Sequence, residues 1–177
     1  PDGKTIVTAG QDNTAHIWDA ATGEQLRVLT GHDDYVNSAA YSPDGKTIVT
    51  ASDDGTARIW DAATGEQLQM LTGHSDFVLS AAYSPDGKHI VTVSMDQTAR
   101  IWDAATGEQL RELAGHSSPI NAASYSPDGR LIVTASTDRT ARIWLADFDE
   151  LWALAQRLVQ RDPPLLTREE RQRYELE

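Results

Sequence analysis

The chain has 177 residues, enough for one domain with a real hydrophobic core. It has no cysteine, which excludes a disulfide framework, thiolate metal sites and a cysteine nucleophile. Its net charge of −12 argues against a nucleic-acid backbone or an anionic membrane surface as the main partner, and no apolar run reaches the length of about 18 residues that a membrane-spanning helix needs.

Taken from its first residue, the chain opens on "PDGKTIVTAG", which has neither an initiator methionine nor a basic or apolar signal region. The same phrase returns as "PDGKTIVT" at residue 43, "PDGKHIVT" at 85 and "PDGRLIVT" at 127, a step of 42 residues. "IWDAATGEQL" keeps the same step from residues 17, 59 and 101, and "GH" stands at 31, 73 and 115. Only nine positions differ between residues 1–42 and 43–84, as expected of a recently duplicated unit. Because the chain begins inside this pattern, it reads as a piece of a longer polypeptide.

Each unit is expected to hold four short strands. "YVNSAAYS" (35–42) is small and apolar and suits an innermost strand. "SPDGK" is a turn, with proline setting φ and Asp-Gly supplying the residue that accepts positive φ. "TIVTAS" (47–52) is β-branched and apolar, hence a buried strand, and "DDGT" turns the chain again. "ARIWD" alternates, with Ala57 and Ile59 on one side and Arg58 and Trp60 on the other. "EQLQMLT" is a more polar outer strand. Four strands in a unit of this length describe a propeller blade.

The recurring "GH … D … WD" spacing over residues 1–144 resembles the WD40 family. The resemblance implies an all-β propeller of consecutive four-stranded blades, with the sequence repeat offset from the blade. It also implies a hydrogen-bonded chain in each blade, linking a His before the inner strand, a Ser or Thr on the second strand, an Asp in the next turn and a Trp on the third strand. By position these sets are His32, Thr50, Asp54 and Trp60; His74, Thr92, Asp96 and Trp102; and His116, Thr134, Asp138 and Trp144. Thr8, Asp12 and Trp18 form an incomplete set whose His would lie upstream.

The residue types support a structural chain independently. A buried indole N–H needs an acceptor; a threonine hydroxyl accepts it and donates to imidazole; imidazole donates its other N–H to a carboxylate. The rival reading is a His–Thr–Asp hydrolase. It requires an exposed nucleophile beside an oxyanion hole, and an enzyme rarely repeats its active site in three neighbouring units. No catalytic residue is therefore assigned.

Recognition is expected where the units differ. The variable positions fall one before the turn aspartate (Gln11, Asp53, Met95, Thr137) and one after it (Asn13, Gly55, Gln97, Arg139). They also fall three after the histidine (Tyr35, Phe77, Pro119) and five after it (Asn37, Leu79, Asn121). The resemblance places the first class and the last two at the top mouth of the central channel, the usual docking surface. The expected protein-binding set is Tyr35, Asn37, Asp53, Phe77, Leu79, Met95, Pro119, Asn121 and Thr137, with Asp33, Asp34 and Asp76 nearby favouring a basic partner.

Other chemistry is sparse. His16 takes a place that arginine holds in the other units and is expected on an exposed strand, and His89 stands alone. "DDG" lacks the remaining ligands of a calcium loop; no HExxH motif, phosphate-cradling glycine loop or paired catalytic carboxylate occurs. No metal or cofactor is expected.

After Trp144 the repeat ends. Asp147 with Glu150 reads as a capping box for a helix whose face is Leu151, Leu154, Ala155 and Leu158, widened by Trp152 and Val159. "DPP" stops it, and Thr167 with Glu170 opens a second short helix bearing Tyr174 and Leu176. The tail would cap the last blade's edge. "LWALAQRLVQR" and "LTREERQRY" are also similar to the C-termini of bacterial multidomain proteins in which WD40 repeats follow a NACHT-type nucleotide-binding, kinase or protease-like module.

The reading is thus an all-β arc of about four blades over residues 1–145, the first without its innermost strand and the last without its outer one, followed by an α-helical tail over 146–177. Its open edges would meet upstream blades or another copy. The expected function is a non-enzymatic, protein-binding scaffold, the docking part of a larger bacterial cytoplasmic signalling protein. The alternative is a freestanding oligomeric propeller with a structural role.

Overall fold

The computed structural model describes residues 2–146; the helices and capping boxes expected between 147 and 177 lie outside the described residues. The repeating part, residues 1–144, forms one compact unit. Among the described residues, fourteen strands make four antiparallel sheets.

The first sheet holds β1 (Thr5–Ala9), β2 (Thr14–Asp19) and β3 (Gln25–Thr30). The second holds β4 (Val36–Tyr41), β5 (Thr47–Ser52), β6 (Thr56–Asp61) and β7 (Gln67–Thr72). The third repeats it with β8 (Val78–Tyr83), β9 (His89–Ser94), β10 (Thr98–Asp103) and β11 (Gln109–Ala114). The fourth holds β12 (Ile120–Tyr125), β13 (Leu131–Ser136) and β14 (Ala141–Leu145). Strands follow chain order within each sheet, so the arc is built from four successive meanders. The first sheet has no innermost strand and the fourth no outer strand among the described residues.

The "SPDGK" turns close as their chemistry dictates. Gly45 has φ of 74°, Ser42 Oγ donates to Asp44, and Thr47 N–H donates to Ser42 Oγ. The turn after β5 is tighter. Its third residue is left-handed in every unit, being Gly55 once and Asn13, Gln97 and Arg139 elsewhere. Variation there is confined to side chains that tolerate positive φ or accept its strain.

The core lies between sheets rather than within them. Ala15, Ile17 and Leu29 of the first sheet pack against Val36, Ile48 and Trp60 of the second. Val49, Ala51, Ala57, Ile59 and Leu71 meet Val78, Ala81, Ile90 and Trp102 of the third. Each fully buried Ile, Leu or Val contributes roughly 1.5–3 kcal/mol, so each joint is a hydrophobic core in its own right.

The two sides of "ARIWD" go to different joints, Ala57 and Ile59 to the one with the third sheet and Trp60 to the one with the first. Ala57, Arg58, Ile59 and Trp60 are all buried, because a neighbouring sheet covers each side of β6.

A polar bond also crosses the joint. Tyr83 and Thr47 share a hydrogen bond of 2.9 Å between their hydroxyls. At the next joint the equivalent tyrosine is Tyr125, whose hydroxyl is buried without a partner. His89 occupies the place of Thr47 there. Burial raises the Tyr125 pKa well above the usual phenol range. His89→Thr restores a hydroxyl at that position and is expected to stabilise the fold by about 1 kcal/mol, read as a raised melting temperature. A Tyr125→Phe background should abolish the gain.

Candidate functional site

Two groups of residues stand out at the end of each sheet where the Gly-His loop meets the turn after the second strand. One is a hydrogen-bond chain running inward. The other is a set of side chains on the loop surface.

In the second sheet, β5 carries Thr50 and β6 carries Trp60. Trp60 Nε1 donates to Thr50 Oγ1 at 2.8 Å, and the Thr50 hydroxyl lies 2.7 Å from His32 Nε2. His32 Nδ1 lies 2.7 Å from Asp54 Oδ2. The indole can only donate and the carboxylate can only accept, so the chain runs from Trp60 through Thr50 and from His32 to Asp54, with imidazole protonated on Nδ1. The third sheet repeats it with Trp102, Thr92, His74 and Asp96 at 2.8 Å throughout. The fourth repeats it with Trp144, Thr134, His116 and Asp138 at 2.9, 2.8 and 2.7 Å.

Asp54 is the most heavily bonded member. Oδ1 accepts from the Thr56 amide and hydroxyl at 2.9 and 2.6 Å. Oδ2 accepts from His32, from the Asp33 amide at 3.2 Å and from Arg58 Nη2 at 3.4 Å. Burial pushes its pKa up, but the Thr56 and His32 hydrogen bonds outweigh that and hold it down to about 2. Burial lowers the pKa of His32 and of His74, so both are neutral at pH 7.

Thr50, Thr92 and Thr134 are fully buried, each with its hydroxyl already engaged. A substrate carbonyl cannot reach them, and the geometry does not support a nucleophile at these positions.

Two contributors were not singled out from the sequence. Arg58 lies beneath the chain, its Nη1 donating to Gln67 at 2.8 Å, and Arg100 repeats this with Gln109 at 2.6 Å. The recurring Arg and Gln nine residues apart were the available signal. The second is the glycine before each His. A Cβ at Gly31 would stand 2.8 Å from Arg58 Nη1 and 3.2 Å from the Trp60 ring, so only glycine allows this close approach.

The first sheet differs. Trp18 donates to Thr8 at 2.8 Å, as elsewhere, but the Asp12 side chain is 60% exposed where that of Asp54 is 6% exposed. His16 is half-buried rather than an exposed strand residue. Its Nε2 lies 3.2 Å from Asp12 Oδ2 and its Nδ1 lies 3.0 Å from Gln25 Oε1. It takes up the bonding positions that Arg58 fills in the second sheet.

The variable residues lie directly outside these chains. The Asp53 amide donates to the Tyr35 carbonyl at 2.9 Å, Met95 to Phe77 at 3.0 Å, and Thr137 to Pro119 at 3.0 Å. One backbone bond therefore places the two variable positions side by side in the second, third and fourth sheets. Asp34 and Asp76 accept from the amides of Tyr35 and Phe77 at 2.8 Å. Tyr35, Phe77 and Met95 are exposed, as are Asn121 and Thr137.

Four members depart from the expected exposed patch, Asp53 and Pro119 being half-buried. Leu79 is half-buried, because it sits on the inner strand facing the next sheet. Asn37 is already committed: its amide donates to Asp53 Oδ1 at 2.6 Å and to the Val78 carbonyl of the third sheet at 3.0 Å, which makes it a bond across the joint. Among the described residues no three His, Asp or Glu side chains are grouped to hold a metal ion.

The family model for the WD domain, G-beta repeat, matches residues 1–19, 23–61, 65–103 and 107–144. Among curated proteins, the nuclear distribution protein PAC1 of Mycosarcoma maydis is 44% identical over 41 residues, 23% of this chain and 9% of that protein. PAC1-1 of Uncinocarpus reesii is 38% identical over 42 residues, 24% of this chain and 9% of its own length. The nuclear distribution protein nudF of Aspergillus niger is 33% identical over 42 residues, 24% of this chain and 10% of that protein. These alignments span one repeat and about a tenth of each relative.

Proposed function

Because the chain belongs to the WD40 family, whose members are generally non-enzymatic interaction scaffolds, we propose that it binds a protein partner through the loop face that carries Tyr35, Phe77, Met95 and Asp53. The observation behind this is the repeated backbone bond that sets two variable residues side by side in each of three sheets. It gathers the exposed side chains of Tyr35, Phe77 and Met95 and the half-buried carboxylate of Asp53 onto one surface, while the chains beneath hold the loops still. The carboxylates of Asp33, Asp34, Asp53 and Asp76 favour a partner with basic character. In the same proposal the His–Thr–Asp–Trp chains are structural clamps and carry no chemistry.

The wider setting, the docking part of a larger bacterial cytoplasmic signalling protein, rests on the tail sequence alone. The matched relatives are fungal and add nothing to it.

The test is affinity capture from the source cell with the full chain as bait. Tyr35→Ala combined with Phe77→Ala should reduce capture of the specific partner at least tenfold, with melting nearly unchanged. A matched pair on the outer strands, Leu26→Ala with Leu68→Ala, should capture as the parent does. Equal capture by the loop-face variant removes this face from the proposal.

A further inference from the structure

The loop face is graded from sheet to sheet. In the second sheet the Gly-His loop and the turn after β5 present the carboxylates of Asp33, Asp34 and Asp53. In the third sheet the same three places hold Ser75, Asp76 and Met95, and Phe77 stands where Tyr35 does. In the fourth they hold Ser117, Ser118 and Thr137, and Arg139 takes the place of Gly55. Among the described residues Arg139 is the only arginine or lysine in these loops, and it is exposed. The face therefore passes from anionic through apolar to cationic across three neighbouring sheets.

Asn37 makes the first of these steps continuous. Its amide donates to Asp53 Oδ1 at 2.6 Å and to the Val78 carbonyl at 3.0 Å. Val78 follows Phe77, whose own carbonyl accepts from the Met95 amide at 3.0 Å. The carboxylate is thus tied to the strand that begins beside the apolar pair. That bond occupies one oxygen of Asp53 and leaves Oδ2 to accept from an incoming cation. At the next joint Leu79 and Met95 stand in the places of Asn37 and Asp53, so the polar bridge gives way to apolar side chains. None of these residues belongs to the hydrogen-bond chains beneath, so the grading is separate from what holds each sheet together.

A ligand that reads this grading places three different side chains on one side, one over each sheet. Sheets packed face to face lie about 10 Å apart. A polyproline II segment has three residues per turn and rises about 3.1 Å per residue, so every third side chain returns to one side in steps of about 9 Å. In a β-strand the third residue points to the opposite side. We propose that the loop face binds a linear segment in the polyproline II conformation with the pattern basic-x-x-apolar-x-x-acidic. Its basic side chain meets Asp53, with Asp33 and Asp34 adding to the attraction; its apolar one packs on Phe77 and Met95; its acidic one meets Arg139. The inference rests on the loop face being the binding surface and adds the order and spacing of what that face recognises.

The probes are fluorescein-labelled peptides added to the full 177-residue chain, with binding read as anisotropy. The ordered probe is Arg-Pro-Pro-Leu-Pro-Pro-Glu, synthesised in both chain directions. The permuted probe, Leu-Pro-Pro-Arg-Pro-Pro-Glu, has the same composition and charge. One direction of the ordered probe should bind roughly tenfold tighter than the permuted one. Asp53→Asn, which keeps an oxygen for Asn37, should remove most of that advantage with melting unchanged, and Arg139→Ala should weaken the ordered probe roughly threefold. Equal affinity of ordered and permuted probes, no binding by either, or an advantage that survives Asp53→Asn each overturn the pattern. If the pattern fails while Tyr35→Ala with Phe77→Ala still reduces partner capture, the surface stands and only its proposed ligand falls; if capture is also unchanged, both fall.

Discussion

Asp54→Ala lowers the stability of the fold by about 3 kcal/mol, whereas Asp12→Ala, the same substitution one repeat upstream, lowers it far less. The two aspartates have the same place in their units and nearly the same local sequence. Their surroundings differ. Asp54 is buried and accepts from five donors, including His32 and Arg58. Removing it leaves an imidazole N–H and a guanidinium without an anion in a place water hardly reaches. Asp12 is mostly exposed, and water replaces it on His16 and Thr14. At roughly 2–4 °C per kcal/mol for a chain of this size, calorimetry separates the two variants by several degrees. Equal melting temperatures would show that the hydrogen-bond chain contributes nothing to stability.

Acid unfolds the protein in two stages, and both have the same sign. His32 and His74 have folded-state pKa values below the usual 6.5, because burial disfavours their charged form. The unfolded chain therefore binds their protons first, and stability falls as pH drops below 6.5. Asp54 is held down to about 2 by its hydrogen bonds, against an ordinary value of 3.8. Its stabilisation is complete above pH 3.8 and is lost as pH falls towards 2, an effect on the order of 2 kcal/mol. Asp96 and Asp138 shift in the same direction. Urea midpoints should stay level above pH 7, decline gently to pH 5 and collapse below pH 4. A midpoint that rises on acidification from pH 7 to 5 would mean that the histidines are charged in the folded state.

The strand order and turns are legible in the sequence because the 42-residue step provides its own alignment. A turn read once, such as Ser42 to Lys46, is read four times. The residues that meet in the Trp60–Thr50 and His32–Asp54 bonds also follow from residue type, since each group has one kind of partner available. Contacts between sheets were not legible. Nothing local in "ARIWD" shows that β6 is covered on both sides, or that Arg58 is buried beneath Gly31. Variation at Asn37 suggests a surface contact, but its amide donates to Asp53 and to the carbonyl of Val78 in the next repeat, 41 residues away. Replacement of an arginine by His16 suggests an exposed side chain, but the ring is half-buried. Its ring nevertheless reaches both of the polar groups that Arg58 reaches, being shorter but planar and able to bond at both nitrogens.

The joints between sheets also make the repeats interchangeable parts. Ala15, Ile17 and Leu29 pack on Val36, Ile48 and Trp60, and the corresponding places in the next unit are Val78, Ile90 and Trp102, the same three residue types. Excision of residues 43–84 would join Ser42 to Pro85 and bring the first set against Val36, Ile90 and Trp102, again the same three residue types. A chain with one unit fewer would therefore keep matched apolar residues at the new joint. The same sameness has a kinetic side: during folding, one unit can dock on its second neighbour and must be released before the arc closes correctly.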